Sequence, residues 1–185
     1  GNPVHPGMVT SVLSAPVEVL GIRGLVLSIA FDTPPNRHTR VALDHYLALM
    51  RQAVEHGVAH LSLRLARQRV AEKILEPDFQ RYPELVDHCR RISMLAEEFA
   101  QYIGMPPAEV EQVRLAGLLH DVGMRLLDYR RLYRKPQFND DDWQIVRQHP
   151  ITGAAIVAES ALGVDVARMV LSHHERVDGK GYPHG

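Results

Sequence analysis

The feature that most constrains the fold is a run of helix-length amphipathic stretches, separated by proline and glycine, from about residue 67 to the end of the chain. Within each stretch, apolar side chains recur every three or four residues, as one buried helix face requires. Pro83 stands at a predicted helix start, Gly104 follows a predicted helix end, and Pro150 must end or kink the helix before it. The predicted helices cover residues 83–103, 108–120, 140–149, 151–160 and 164–173. We therefore predict a mainly α domain of five or more helices over residues 67–185.

Residues 1–66 predict a small mixed β/α module in front of that domain. Two short strands, 17–20 and 25–29, flank a four-residue loop that contains Gly21 and Gly24. A helix from about Thr39 to His56-Gly57 follows, and alternating leucines then favour a strand over residues 58–65. A continuous helix to residue 75 is the competing interpretation, because an apolar seam runs through positions 43, 47, 50, 54, 58, 61 and 65. We prefer the break, since Gly57 stands where a helix stop is useful.

Composition narrows the class of protein. The single cysteine, Cys89, excludes a disulfide framework within the chain and is typical of a reducing compartment, so we predict a cytoplasmic location. The 21 Lys and Arg residues against 22 Asp and Glu residues give a formal net charge of -1, which argues against a duplex nucleic-acid partner. The most apolar stretch, residues 17–31, is too short and too charged to span a bilayer. No secretory signal is visible either, so no membrane partner is expected.

The chain has 11 histidines, and their positions carry the functional prediction. An apolar run, residues 115–119, delivers His120 and Asp121 to a helix end, where Gly123 turns the chain. An imidazole and a carboxylate can bind a divalent metal there, and the carboxylate can bridge two ions. An isolated His-Asp pair is more commonly a helix cap beside a solvated carboxylate, so the other histidines decide between the two interpretations.

Further candidate ligands stand on the faces or at the ends of the neighbouring predicted helices. Glu84 and His88 are four residues apart and share one helix face, and His149 directly precedes the proline that ends its helix. His173 and His174 end an apolar helix, and their side chains point about 100° apart, so one can face a buried site while the other lines its rim. Each of these features alone is more typical of a surface contact or a cap.

The last predicted loop combines turn residues with polar side chains. Its members are Asp178, Gly179, Lys180, Gly181, Tyr182 and Pro183. Glycines at alternate positions allow tight turns and the close approach of a ligand. Lys180 offers a positive charge, and Tyr182 offers a ring face and a hydroxyl. Without its neighbours, this segment would be interpreted as a plain surface loop.

Together these features resemble the HD-GYP family, a branch of the HD-domain metal-dependent phosphohydrolases. The family's signature, HHE followed by DGxGYP, is present at the family's spacing from His173 to Pro183. The other candidate ligands precede it in the family's order: His88, His120-Asp121 and His149-Pro150. The resemblance covers about residues 67–185. The front segment, with Pro6-Gly7-Met8 before the short strands, loosely resembles the β-rich segment that often precedes such domains.

The resemblance implies an HD-type helical domain that holds two or three divalent metal ions, iron or manganese. It implies hydrolysis of the bacterial messenger cyclic di-GMP to pGpG or GMP. Asp121 would bridge two ions and act with His120 as the catalytic pair. His88 and His120 would serve one ion, while His149 and His173 would serve the other. This is the two-metal arrangement for phosphodiester hydrolysis, in which a coordinated water becomes a nucleophile near neutral pH.

The resemblance also assigns the remaining candidates. His174 and Glu84 would complete the metal shell or hold a third ion. The loop from Asp178 to Pro183 would shape the substrate side of the site or form a surface for partner signalling proteins, among them GGDEF-domain proteins. A homodimer is compatible with the family.

The sequence departs from the family pattern at two places. Met124 stands where the family's HDxGK run has a lysine near the substrate phosphate or the metal-bound water, and methionine carries no charge. Arg125 is adjacent, but its side chain would point about 100° away on a helix. Family members continue past the signature through another helical section with a metal-binding aspartate and basic phosphate contacts. This sequence stops at Gly185, which predicts either a fragment or a shortened version.

Three functions therefore stay open. The first is a metal-dependent cyclic di-GMP phosphodiesterase. The second is a catalytically degenerate module that binds a cyclic dinucleotide or a signalling partner, as Met124 and the early end of the sequence suggest. The third is an HD phosphohydrolase that acts on another nucleotide, such as cyclic GMP-AMP.

Overall fold

A computed structural model of the chain describes residues 11–19, 22–127, 132 and 135–185. It separates into two compact units, 1–64 and 65–185, which are described in turn. The described residues are mainly helical with a small two-stranded sheet near the N-terminus, which confirms the predicted fold class. The predicted domain boundary between residues 66 and 67 stays a prediction. The Pro6-Gly7-Met8 segment lies outside the described residues.

The first unit contains a β-hairpin and the beginning of a long helix. Strand β1 covers Ser11–Val19 and pairs antiparallel with β2, Ile22–Phe31, so the two predicted strands are confirmed but are longer than expected. Ser14 lies opposite Ser28, and their hydroxyls form a 2.8 Å hydrogen bond across the ladder. The prediction of a four-residue loop was wrong, because β2 already begins at Ile22; Gly21 lies outside the described residues.

The predicted break at Gly57 was wrong, and the continuous helix is the correct interpretation. Helix α1 covers Arg37–Phe79 without interruption, and the Asn36 side chain caps it by accepting a hydrogen bond from the Thr39 amide at 2.9 Å. A single glycine inside a helix costs only about 1 kcal/mol, which the flanking Leu, Ala and Arg residues offset. The predicted strand required one buried face, yet Leu61, Leu63 and Leu65 are all more than half exposed.

The second unit contains the end of α1 and the helices that were predicted after residue 82. Their bounds are Pro83–Tyr102 for α2, Pro107–Leu119 for α3, Asp140–Val146 for α4, His149–Ala158 for α5 and Val164–Ser172 for α6. A 3-10 turn, Val122–Leu126, follows α3. Asn139 caps α4: its side chain accepts a hydrogen bond from the Asp142 amide at 2.9 Å, and the Asp142 carboxylate accepts one from the Asn139 amide at 3.1 Å.

One apolar core joins α1, α3, α5 and α6 within this unit. Its fully buried side chains are Ala71, Leu115, Leu119, Val157, Leu162, Val166 and Val170. Polar contacts hold α1 beside that core: Arg67 donates to the Leu162 carbonyl at 2.7 Å, and Arg114 on α3 donates to Gln68 at 2.6 Å. The core therefore fixes the C-terminal ends of α3 and α6, where the sequence places its histidines.

Within the described residues, the structure contains no helix that is both long enough and apolar enough to span a membrane. Cys89 is buried on α2 as a free thiol.

Candidate metal centre

Helix α3 positions the His-Asp pair. Leu115, Leu118 and Leu119 are buried in the core, so the end of the helix is held in place. His120 directly follows the last residue of α3, and Asp121 directly precedes the 3-10 turn. The apolar run therefore delivers the pair to a helix end, as the sequence predicted.

Three of the histidines are oriented by the same local device. Nδ1 of His120 donates to the carbonyl oxygen of Gly117 at 2.9 Å. In the same way, Nδ1 of His149 and of His173 donate at 2.7 Å to the carbonyls three residues earlier, Val146 and Val170. Each accepting carbonyl lies at the end of a helix, where it has no partner within the helix. The Nδ1 hydrogen bond fixes the orientation of each ring and leaves Nε2 facing the other histidines and Asp121, where it could bind a metal.

The carboxylate of Asp121 lies between two sets of imidazoles. Its Oδ2 atom is 3.2 Å from Nε2 of His120 and 3.9 Å from Nε2 of His88. Its Oδ1 atom is 3.2 Å from Nε2 of His149 and 3.9 Å from Nε2 of His173. The two oxygens thus face different sets of nitrogen donors, which is the arrangement of a bridging carboxylate.

The donor atoms form two groups, each with its ligand atoms within 4.8 Å of one another. The groups are His88, His120 and Asp121, and His149, His173 and His174. Six of the seven predicted metal ligands are therefore brought together, from α2, α3, α5 and the end of α6. Glu84 is exposed on α2, one turn before His88, and belongs to neither group.

Burial and the packed charges shift the pKa values in this cluster. Burial lowers the pKa of His120, but hydrogen bonds to Asp121 and Cys89 outweigh it and raise the pKa to about 10. Burial raises the pKa of Asp121, yet hydrogen bonds from His120 and His149 hold it well below its usual range. Burial and the neighbouring histidines lower the pKa of His173 to about 4, and they also lower that of His174. His173 and His174 are therefore neutral donors near pH 7.

Gly123 lets the 3-10 turn after Asp121 approach α5 closely. A Cβ atom at this position would lie 2.1 Å from the carbonyl oxygen of His149 and 2.6 Å from the amide nitrogen of Gly153. No side chain fits there, so the glycine is required by close approach and not by its φ angle. This contact keeps Asp121 beside His149.

The final loop folds back on the histidines. The Glu175 carboxylate accepts hydrogen bonds from the amides of His184 at 2.7 Å and Gly185 at 3.2 Å. A Cβ atom at Gly181 would lie 2.6 Å from the Cα of Glu175, so this glycine also serves a close contact. Tyr182 stacks on His174 with ring centroids 4.5 Å apart. The loop thus has two parts: 181–183 pack near the site, and Asp178, Gly179 and Lys180 form an exposed tip.

The two residues after Gly123 make other contacts and are not available to bind a phosphate. Met124 packs on an apolar cluster of Tyr82, Leu85 and Cys89. Arg125 forms a 2.7 Å ion pair with the buried Asp78 and donates to the carbonyl of Ile74. The backbone here is a 3-10 turn and not a regular α-helix, but the Arg125 guanidinium contacts the end of α1 and not the histidine cluster.

Sequence reasoning missed one cation beside the site. The guanidinium of Arg147 lies 5.7 Å from the centroid of the Tyr182 ring, whose stacking partner is His174. Arg147 directly follows α4, two residues before His149, and its side chain is exposed. Its position relative to His149 was a usable signal, whereas its contact with Tyr182 depends on the tertiary fold.

The donor set fits a pair of divalent metal ions. Imidazole nitrogens and a carboxylate suit iron, manganese and similar ions, and a carboxylate with one oxygen toward each group can serve both. The Nδ1 hydrogen bonds supply the outer contacts that orient such ligands. His88, His120 and Asp121 would hold one ion, and His149, His173 and His174 the other.

Comparison with known proteins agrees with this geometry. A family model described as "HD domain" matches residues 69–185. A cyclic di-GMP phosphodiesterase of Pseudomonas aeruginosa, PA4108, is 37% identical over 102 residues, which are 53% of this chain and 24% of that protein. A cyclic di-GMP phosphodiesterase of Thermotoga maritima is 33% identical over 103 residues, 53% of this chain and 27% of that protein. A 3'3'-cGAMP-specific phosphodiesterase of Vibrio cholerae, number 2, is 25% identical over 160 residues, 85% of this chain and 31% of that protein. The chain thus spans about a quarter to a third of the length of these relatives.

Proposed function

The chain belongs to the HD domain family, and we propose that its helical unit is the metal-dependent active site of a bacterial cyclic di-GMP phosphodiesterase. The observation that carries this proposal is the Asp121 carboxylate, whose two oxygens face two separate groups of imidazoles. Relatives that share this stretch of sequence are named as phosphodiesterases of cyclic dinucleotides. The product would be pGpG or GMP.

The six converging donors would hold two divalent ions, iron or manganese, and Glu84 would need to turn inward to complete a third site. When bound, such ions lower the pKa of a coordinated water and stabilise the charge that develops on the phosphate. The protein's own contribution is to hold these donors in place. The helix-end carbonyls fix the rings of His120, His149 and His173, and Asp121 bridges the two groups.

Arg147 is the cation that we assign to the substrate in place of the family's lysine. Met124 is packed among apolar side chains and Arg125 is held by Asp78, so neither can contact a phosphate. Arg147 is exposed beside Tyr182, and a guanidinium binds a phosphodiester through two parallel hydrogen bonds. Lys180, exposed at the loop tip, carries a further positive charge.

The direct test is turnover of cyclic di-GMP by the purified chain loaded with iron or with manganese. We expect linear pGpG or GMP as the product. The double variant His120→Ala with Asp121→Ala should lose both turnover and metal, as measured by elemental analysis. Unchanged metal content in this variant would contradict the proposed site, and absence of turnover with any metal in a full-length protein would remove the proposed activity.

A degenerate binding module is the second candidate function, and Met124 is the observation that favours it. Calorimetry that detects cyclic di-GMP binding without hydrolysis in the metal-loaded protein would support this function, whereas turnover would reject it. Hydrolysis of cyclic GMP-AMP is the third, and it is favoured by the similarity to the Vibrio cholerae protein. Competition between the two cyclic dinucleotides for one preparation distinguishes these substrates.

The other predicted partners rest on the family alone. The loop tip, Asp178 to Lys180, is exposed and would be the part that docks a GGDEF-domain protein. The homodimer and the cytoplasmic location stay predictions.

A further inference from the structure

Because α1 is continuous, it brings together two histidines that the predicted break at Gly57 would have separated. His56 and His60 are one helical turn apart inside the continuous helix. Their ring centroids are 4.4 Å apart with an interplanar angle of 73°, and both side chains are exposed. Both residues lie in the first unit, and neither belongs to the two donor groups around Asp121. The metal centre therefore makes no use of this pair.

Two imidazoles at positions i and i+4 have the geometry of a chelating pair. Side chains with this spacing lie on the same face of a helix, one above the other. Metalloprotease helices use two histidines at this spacing to bind zinc. The rings of His56 and His60 are already in contact, and both can rotate because they are exposed. A small rotation about the side-chain bonds can point one nitrogen of each ring toward a common ion.

We propose that His56 and His60 form a second metal site, which takes one divalent transition-metal ion with water in its remaining positions. The ion would be of the nitrogen-preferring kind, and affinity should rise from Mn²⁺ to Ni²⁺ to Cu²⁺. The site contains no carboxylate in its pair of ligands, so it differs in chemistry from the Asp121 centre. It is independent of whether the helical unit hydrolyses a cyclic dinucleotide.

Metal binding to this pair would have a structural consequence because of Gly57. It lies between the two ligands, and glycine is the weakest helix former apart from proline. Nothing lies within 4 Å of the position where its Cβ would be, so tertiary packing does not support the helix at this residue. An ion bound to both rings would close a loop across Gly57 and stabilise α1 at that point.

The binding test uses Ni²⁺ and untagged full-length chain, so that no added histidines compete. The double variant His56→Ala with His60→Ala should bind one Ni²⁺ fewer per chain than the parent in equilibrium dialysis, and each single variant should bind that ion at least tenfold more weakly. The matched control is His38→Ala with His45→Ala, also exposed on α1 but seven residues apart, about 10.5 Å along the axis and too far to share an ion. Equal stoichiometry in the parent and the His56/His60 variant, or an equal loss in the control, would overturn the site.

Hydrogen exchange tests the structural consequence. Adding Ni²⁺ should slow exchange of the amides in residues 57–61 at least fivefold in the parent and leave it unchanged in the His56→Ala variant. Gly57→Ala keeps both ligands, so it should keep the ion but show a smaller change in exchange. Bound Ni²⁺ with unchanged exchange in the parent would overturn the stabilising role. Alanine is a better helix former than histidine or glycine, so all of these variants are expected to fold, and circular dichroism checks that they do.

Discussion

The two halves of the proposed metal centre differ in how firmly the protein holds them. The half around His149, His173 and His174 is packed: the His149 side chain is 3% exposed, and its Nε2 lies 3.0 Å from that of His173. The half around His88 and His120 is open, with the His88 side chain 44% exposed. The rings of His173 and His174 are 4.1 Å apart, whereas those of His88 and His120 are 5.3 Å apart.

This difference indicates that the two halves have different roles in metal binding. Helix-end carbonyls orient two rings of the packed half, those of His149 and His173, and one ring of the open half, that of His120. The Gly123 contact and the Tyr182 stack add further support to the packed half, so its ligands are the more fully preorganised for an ion. The open half shares the Asp121 carboxylate but has solvent on the His88 side. We expect the ion in the packed half to be bound more tightly and the ion in the open half to exchange more readily.

Asp121 connects the halves, and its substitution should have the largest effect. Asp121→Asn keeps the shape but removes the negative charge that serves both groups. We expect loss of both ions and a decrease in kcat/KM of about a thousandfold, about 4 kcal/mol of transition-state stabilisation. Elemental analysis and steady-state kinetics measure the two effects.

The control for this variant is Asp165→Asn, the same change at an exposed carboxylate on α6 that pairs with Arg168. It should keep metal and activity. An Asp121→Asn protein that retains one ion per chain would show that the halves bind metal independently, and the bridging role would then be wrong.

Gly123 holds the packed half beside Asp121, so its substitution should have the next largest effect. Gly123→Ala places a Cβ 2.1 Å from the His149 carbonyl, which forces α5 to move. We expect the free energy of unfolding to fall by about 1–3 kcal/mol, measured by urea denaturation of the metal-free protein. Gly57→Ala is the matched control, because nothing lies near its Cβ position, and it should raise stability by up to about 1 kcal/mol. Equal stability of the two alanine variants would refute the close-contact explanation.

Substituting one histidine from each half tests the expected difference in metal affinity directly. We expect His149→Gln to weaken binding of the ion in the packed half, and His88→Gln to weaken binding of the other ion. The loss of affinity in His149→Gln should be at least about tenfold larger, a difference of about 1.4 kcal/mol. The reason is that His149 is buried and oriented by Val146, whereas His88 is largely exposed. Competition with a chelator measures both affinities. The preorganisation argument fails if the two variants lose affinity equally.

The histidine cluster could be predicted because its signals are local. Five of the six converging ligands stand at helix ends marked by proline, glycine or the end of an apolar run, and His88 lies on the face of α2. The helices after residue 82 were found within a few residues of their observed bounds. The order of His88, His120-Asp121, His149 and His173-His174 then predicted which side chains would lie close together before any distance was known. Local signals fail where two of them conflict, as at Gly57, where a plausible stop lies within a strongly helical sequence.

Other features could not be predicted because they depend on tertiary distances. Arg125 could have replaced the missing lysine, but a buried carboxylate 47 positions earlier in the chain, Asp78, binds it instead. Gly123 looked like a turn residue, and only the approach of α5 shows why no side chain fits. In both cases the residue type was informative about possible roles, and the three-dimensional neighbour selected among them.

Arg147 should give the smallest effect, because it lies at the rim of the packed half, where its guanidinium contacts the Tyr182 ring. We expect Arg147→Ala to raise KM for cyclic di-GMP about fivefold, about 1 kcal/mol, with kcat and metal content unchanged, since a phosphate contact made equally in the ground and transition states affects binding alone. Arg147→Lys should recover part of the loss, because it keeps the charge but not the paired hydrogen bonds. Arg168→Ala is the control, since Arg168 is an exposed arginine on α6 that pairs with Asp165 at 3.8 Å. A fall in kcat together with loss of metal in Arg147→Ala would instead mean that the arginine acts through Tyr182 to orient His174.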